Sequence, residues 1–502
     1  MSRLALAAVP LGLVVAAACA LPWYLGLRTE QALRAEMGKL TSRAQFPLNV
    51  TFMRYDRGWL SSSALTRLTL KAQPSVFLDV RHEISHLPQP RTGWAHVRSV
   101  PQWSSDMQAL LDHYFSGRPA LTVDSVFAFD GGRKIAFSSP AFDRPLQAAP
   151  GAKLSWGGMQ GTLSVGTDEQ LVASALAPYL RLQGEDTQAG LKALTVDVSW
   201  QMRGAAADWQ GETKVALGEL HFSGPRDQVA MHDLSGAAYQ RSNGESLLLG
   251  YALRVAGGTS TKAGEPQNSF SNAVLDLEFD QISKKALSKY LDAMRASEQA
   301  ASTPHSALTT QTLVDLGAEL LRGSPVIRLK KLGLETPSGA VSAQATVTFD
   351  GSNLAEMGLS PELLSRLRAK GNLEVAANLL RAQLQRAMRP QAEIVLGQQG
   401  AQNTEDNIRA LSEKLGDAQL KNLTDSGILK SSGTNLRVEA ELDAGQFLVN
   451  GQPAVRLFGA ILTPPAQQAP RSAHPQVQAA GIPPRPLLLV GRGAPPMAED
   501  AH

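Results

Sequence analysis

Apolar and polar residues alternate with a period of two along most of this chain. Leu194, Val196, Val198, Trp200 and Met202 interleave with Thr195, Asp197, Ser199 and Gln201, and the same rhythm returns at Leu247 to Val255, Leu275 to Phe279, Val341 to Phe349 and Leu436 to Leu442. Successive side chains of a strand point to opposite faces, so the pattern predicts strands with one apolar and one wet face. Such one-sided alternation belongs to antiparallel sheets, because buried parallel strands read as unbroken apolar runs. Asp130-Gly131-Gly132 and Asn450-Gly451 separate segments of this kind and supply residues that tolerate the positive φ of tight hairpins. Helical spacing interrupts the strands at Ser104 to Phe115, Ser283 to Ala300, Leu308 to Leu321, Pro361 to Leu367 and Thr404 to Leu415, with Ser104 and Thr404 as caps. The expected class is α+β: one or two large curved, mainly antiparallel sheets with interspersed helices.

The first thirty residues follow a different rule. Leu4 to Leu27 carries no charge, and as a helix it reaches ~36 Å, enough for a ~30 Å hydrocarbon layer. Trp23 and Tyr24 suit the headgroup boundary. A cleaved secretory signal ending near Ala18 and Ala20, and a lipoprotein processing site at Cys19, are the competing readings. The apolar run continues past both points, which favours an uncleaved signal anchor. Arg3 is opposed by Arg28, Arg34 and Lys39, so positive charge does not set the orientation. A short head ahead of a long domain places the amino terminus in the cytoplasm. The alanine-rich composition points to a bacterium, hence to a single-pass inner-membrane protein with its bulk in the periplasm. Thr29 to Leu40 then reads as a short helical stalk. Cys19 is the only cysteine, so no intramolecular disulfide forms.

This gives an expected division into residues 1–28 (anchor), 29–300 (β-rich half), 301–463 (α+β half) and 464–502 (disordered tail). The polar stretch Ser297 to Ser306 marks the boundary between the halves, and nine prolines between Pro464 and His502 deny the tail regular structure. A composition of 43 % hydrophobic and 19 % charged residues excludes a fully disordered chain and a polytopic transporter. With 48 basic against 45 acidic residues, net +3, nothing argues for nucleic acid as a partner.

Candidate chemistry is sparse. His82-Glu83-Ile84-Ser85-His86 matches the HExxH zinc pattern, which needs a helical turn to bring two imidazoles together. Here the motif continues the alternation Val76, Leu78, Val80, His82, Ile84, His86 and is closed by Pro88. In a strand, residues four apart stand ~13 Å from one another, too far for one metal. Gly157, Gly158 and Gly161 precede a strand rather than a helix and read as a turn or bulge, not a dinucleotide loop. No P-loop or GxSxG elbow is present, and isolated carboxylates such as Asp106, Asp112 and Asp143 read as surface. The sequence therefore names no catalytic set, no metal and no cofactor.

The segment Tyr55-Asp56-Arg57-Gly58-Trp59 with Ser62 in YDRGWLSSSA, following FPLNVTFMR, resembles the signature of the YdgA-like family of bacterial envelope proteins. Gly26 at the anchor's end, the strand closed by His86, Trp156-Gly157, LETPSG with Pro337 and Gly339, and GQFLVNGQP with Asn450 and Gly451 fall in the same order. The resemblance covers most of the chain to about residue 460, and it implies an inner-membrane protein with a periplasmic domain but no catalytic residues or substrate. Where that family tends to have His-Gly-Pro, this chain has His86-Leu87-Pro88. In physical terms Arg57 can pair with a carboxylate, Gly58 permits a bend and Trp59 can anchor a sheet face.

The expected function is a non-enzymatic envelope protein whose sheet binds a lipid or other apolar ligand. A scaffold that assembles with another copy or an envelope protein, and a zinc hydrolase using HEISH, are the alternatives.

Overall fold

The computed structural model describes residues 26–454 apart from 32, 36–37, 39–47, 72–74, 87–92, 148, 150, 202–207, 265–266, 291–292, 294–316, 353–364 and 399–403. The anchor up to residue 25, the expected boundary at 297–306 and the tail lie outside the described residues. Among the described residues no helix is long and apolar enough to cross a membrane.

The strands are β1 (Leu48–Arg57), β2 (Ser61–Leu70), β3 (Phe77–Ser85), β4 (Ala95–Gln102), β5 (Thr122–Phe127), β6 (Arg133–Ser139), β7 (Phe142–Pro145), β8 (Lys153–Trp156), β9 (Met159–Val165), β10 (Gln170–Gln183) and β11 (Gln188–Gln201). They continue with β12 (Gln210–Ser223), β13 (Asp227–Asn243), β14 (Ser246–Lys262), β15 (Asn268–Ser283), β16 (Val326–Thr336), β17 (Gly339–Phe349), β18 (Leu367–Ala376), β19 (Lys430–Ser432), β20 (Asn435–Asp443), β21 (Gln446–Val449) and β22 (Gln452–Pro453). All belong to one open sheet, and the pairings between them are antiparallel. Almost every strand pairs with its successor; the exceptions are the β7–β8 hairpin, set aside where β6 pairs with β9, and the helices between β18 and β20. β15 pairs with β16, so the sheet runs on from one side of residues 297–306 to the other.

The expected large, mainly antiparallel sheet is thus present, as one sheet. Directly opposed residues of an antiparallel pair share a face, so registers can be followed across the molecule. One row runs Ile84, Val97, Ser125, Ile135, Leu163, Ala173, Val198. The next row along the strands runs Val196, Val215, Gly236, Leu253, Leu275, Leu332, Ala343, Leu373, Val438 on that same face. A single apolar face therefore extends from β2 to β20. Across β10–β15 a line of unpaired positions, Pro178, Ala193, Gly218, Asp233, Ala256 and Asn272, interrupts the ladder at one level. Ala193, Asp233 and Asn272 have φ near +50°. Along that line the apolar spacing slips from two to three, as in Leu191 to Leu194 and Leu217 to Leu220; in β11 the left-handed Ala193 breaks the pleat's alternation, and the facing strands follow its register.

A short helix lies at one end of this face and a helical hairpin at the other. Residues 26–31 and 33–35 form α1, whose Leu33 packs with Ala64, Ile84, Ala95, Val97 and Phe127. The segment expected as a stalk is therefore docked on the sheet. α2 (Ser105–Phe115) is capped by Ser104, as expected, and meets β7. Residues 284–290 and 317–322 form α3 and α4. α5 (Ala377–Gln398) and α6 (Glu405–Asp425) make an antiparallel hairpin. Leu379, Leu380, Leu420 and Leu423 from that hairpin cover Val341, Val375 and Leu436 at the far end of the apolar face.

Three local expectations are corrected. Leu367 opens β18 and is not helical, since its backbone pairs with Phe349. α5 was not anticipated, because Pro390 interrupts an otherwise helix-favouring stretch of Ala, Leu, Arg and Gln. Trp59 does not anchor a sheet face but stands 54 % exposed.

Candidate functional site

The signature around Tyr55 to Ser62 closes on α1. Tyr55 donates its hydroxyl to the Gly26 carbonyl at 3.3 Å, and Arg57 pairs with Glu30. Glu30 also holds Arg34 at 3.0 Å, and the Arg34 guanidinium lies 4.1 Å over the Phe52 ring. Burial raises the Glu30 carboxyl, but Arg57 and Arg34 outweigh it and hold it below the usual range. Ser62 Oγ and His86 Nε2 lie 2.7 Å apart. A Cβ added to Gly26 would stand 3.1 Å from that same Nε2, so the helix backbone rests on the imidazole. The first turn of α1 thus sits in a clamp of Tyr55, Arg57, Ser62 and His86. Gly58 makes the β1–β2 turn tight enough for this: an added Cβ would fall 2.2 Å from the Ser61 carbonyl oxygen. Gly58→Ala is expected to destabilise the protein by about 2 kcal/mol, read as a lowered unfolding temperature.

The remaining signature residues lie elsewhere. Asp56 pairs with Arg54 at the surface. Trp156 donates to Ser139 Oγ at 3.2 Å and Gly157 to the Tyr179 carbonyl at 2.9 Å, where the chain steps from β8 to β9 along the edge of β10. Pro337 lies in the two-residue β16–β17 turn, closed by Thr336 donating to the Gly339 carbonyl at 2.9 Å. Asn450 and Gly451 take φ of 51° and 80° in the β21–β22 hairpin. The Asn450 amide also donates to Gly427 and Ile428, tying that hairpin to the end of α6. These three places shape the chain; only the clamp converges from distant segments.

His82 and His86 belong to an extended segment. His82 Nε2 lies 2.8 Å from Thr66 Oγ1 and Nδ1 2.7 Å from Ser99 Oγ, so the nitrogen that keeps a lone pair already accepts from a hydroxyl. Burial lowers the imidazole to about 4. His86 is fully buried; burial first, and then the Arg57 charge, lower its pKa. Ser62 and His86 have the separation of a nucleophile and its base, yet both are buried under α1, and among the described residues His86 Nδ1 has no hydrogen-bond partner to orient the ring. Among the described residues no group of three His, Cys, Asp or Glu could hold a metal ion.

Between its covered ends the apolar face is open. Val215, Leu253, Leu275, Leu332 and Leu373, all in one row, are 36–49 % exposed, although Leu and Val ordinarily retreat from water. Tyr251, beside Leu253, is equally open and meets Phe279 edge-on at 6.2 Å. From β12 to β18 the row crosses six strand spacings, ~29 Å at ~4.8 Å each. Sequence alternation had marked Leu253 and Leu275; Val215, Leu332 and Leu373 were missed, and the signal available for them was the same alternation in β12, β16 and β18. Glu30, the partner of Arg57, was missed because it lies 27 residues away in a segment read as a stalk. The opposite face is polar and shallowly grooved, with a depression of about 580 Å³ between Asp124, Thr162, Ser174 and Asp197 and another of about 720 Å³ beside Arg81, Glu83 and Arg98.

No curated protein and no solved structure matches the chain. One family model does, over residues 1–455, spanning the clamp, the open face and the α5–α6 cap together. By that match the chain belongs to the family described as bacterial protein of unknown function, DUF945.

Proposed function

We propose that this is a non-enzymatic protein, anchored in the bacterial inner membrane with its sheet in the periplasm, that binds lipid acyl chains on the open apolar face in the service of envelope maintenance. The observation that carries the reading is the exposed row Val215, Leu253, Leu275, Leu332 and Leu373. An apolar strip of that length in water is a liability unless something covers it. Its position supports lipid as the cover: α1, directly after the uncharged segment Leu4 to Leu27, is seated on the same face through Leu33. The YdgA-like resemblance of the signature residues agrees with this placement.

The test uses the full chain in a mild non-ionic detergent, with retained lipid measured by mass spectrometry. Leu253→Thr, Leu275→Thr and Leu332→Thr introduce β-branched, strand-favouring side chains while removing apolar area. At roughly 1.5 kcal/mol for each lost side-chain contact, the triple variant is expected to retain at least about tenfold less lipid at an unchanged unfolding temperature. Lipid retained equally by both proteins would refute the reading. If no lipid is found and wild type alone forms dimers, the face instead joins two copies.

A further inference from the structure

A second feature lies at the end of the strands that carry the open face. Lys284 donates its backbone N–H to the Glu245 carbonyl at 3.0 Å, so α3 begins where β14 starts and β15 ends, and α4 closes just before β16. At this junction Lys285, Lys289 and Arg322 converge on one carboxylate, Glu319, at 3.8, 3.3 and 2.8 Å. Burial raises the Glu319 carboxyl, but the three cations outweigh it and keep it ionised. Its side chain is 11 % exposed, whereas Lys285 and Lys289 are 72 % and 52 % exposed. Other described carboxylates meet one or two basic partners, as in Asp79 with Arg67, Asp280 with Arg328 and Glu30 with Arg57 and Arg34. Here one carboxylate meets three cations, with Lys289 donating to it at 3.3 Å and Arg322 at 2.8 Å. Each ammonium carries three N–H donors, so Lys285 and Lys289 keep donors to spare beside Glu319.

The same strand ends bear the first apolar row, in which Leu249 opposes Phe279 and Phe279 opposes the exposed Ile327. From Leu249 to Val255 the apolar side of β14 covers ~20 Å, the scale of an extended acyl chain. We propose that Lys285 and Lys289 form a binding site for the phosphate group of an anionic lipid whose chains lie along the apolar face from this end. An ammonium is a point charge that suits phosphate without demanding one geometry. The proposal rests on the lipid reading above and adds the headgroup class and its place.

The experiment compares the full chain with its Lys285→Gln/Lys289→Gln variant in non-ionic detergent. Arg322 is left in place so that Glu319 keeps a partner. Each protein is offered phosphatidylglycerol and diacylglycerol of equal chain length, and bound lipid is counted by native mass spectrometry. Wild type is expected to prefer phosphatidylglycerol at least about tenfold, and the variant to lose that preference while holding diacylglycerol as before. Diacylglycerol bound without a preference in wild type, or a preference that survives in the variant, overturns this site and leaves the lipid reading standing. Retention of neither lipid overturns both. Displacement of phosphatidylglycerol by an equal concentration of inorganic phosphate would show a site for the bare ion, which overturns the amphiphile assignment.

Discussion

Between pH 6.5 and 4 the protein is expected to lose on the order of 3 kcal/mol of stability through His82 alone. The ring is held neutral by burial, with its pKa lowered from 6.5 to about 4. A depressed folded-state value for a base means that the unfolded chain takes up the proton first. The stabilisation is therefore complete above 6.5 and disappears as pH falls towards 4. His86, lowered by burial and by Arg57, acts in the same direction. Denaturant unfolding followed by tryptophan fluorescence at several pH values measures the slope. His82→Gln is expected to be weaker than wild type at pH 7 but to fall less steeply across this window. Parallel slopes for the two proteins would remove His82 as the cause.

Gly26→Leu is expected to free α1 from the sheet. The imidazole that already stands 3.1 Å from an added Cβ is buried on all sides and fixed to Ser62. The larger side chain has no space unless the helix lifts. Lifting it exposes Leu33 and breaks the contacts of Gly26 with Tyr55 and of Glu30 with Arg57. The loss is about 3 kcal/mol, which makes trypsin cleavage after Arg28 and Arg34 about a hundredfold faster when opening is rapid. Cleavage rates matching wild type would mean that the clamp does not hold the helix. Gly26→Ala, which asks only for a small shift of the ring, is expected to fall in between.

The clamp was legible in pieces. Tyr55, Arg57, Gly58, Ser62 and His86 could be quoted from the sequence, and Arg57 was expected to find a carboxylate. That the carboxylate is Glu30, and that all of these residues surround the first turn of α1, depends on two hairpins and a docking helix closing together. The extended state of the HEISH segment was readable because its alternation continues on both sides of the motif. The pairing of its His82 with Thr66 and Ser99 was not, since each partner lies on a different neighbouring strand.

The period of the strands, the hairpin turns at Asp130-Gly131-Gly132 and Asn450-Gly451 and the mainly antiparallel class are written in the local sequence. Those are local properties, fixed by the two-residue pleat and by the few residues that accept positive φ. That the strands form one sheet, that α1 and the α5–α6 hairpin cover the ends of its apolar face, and that Leu253, Leu275 and Leu332 between them meet solvent follows from how distant segments come together. Alternation records that a face is apolar, whatever lies over it; the cover comes from segments far away in the chain, and no local pattern encodes their arrival.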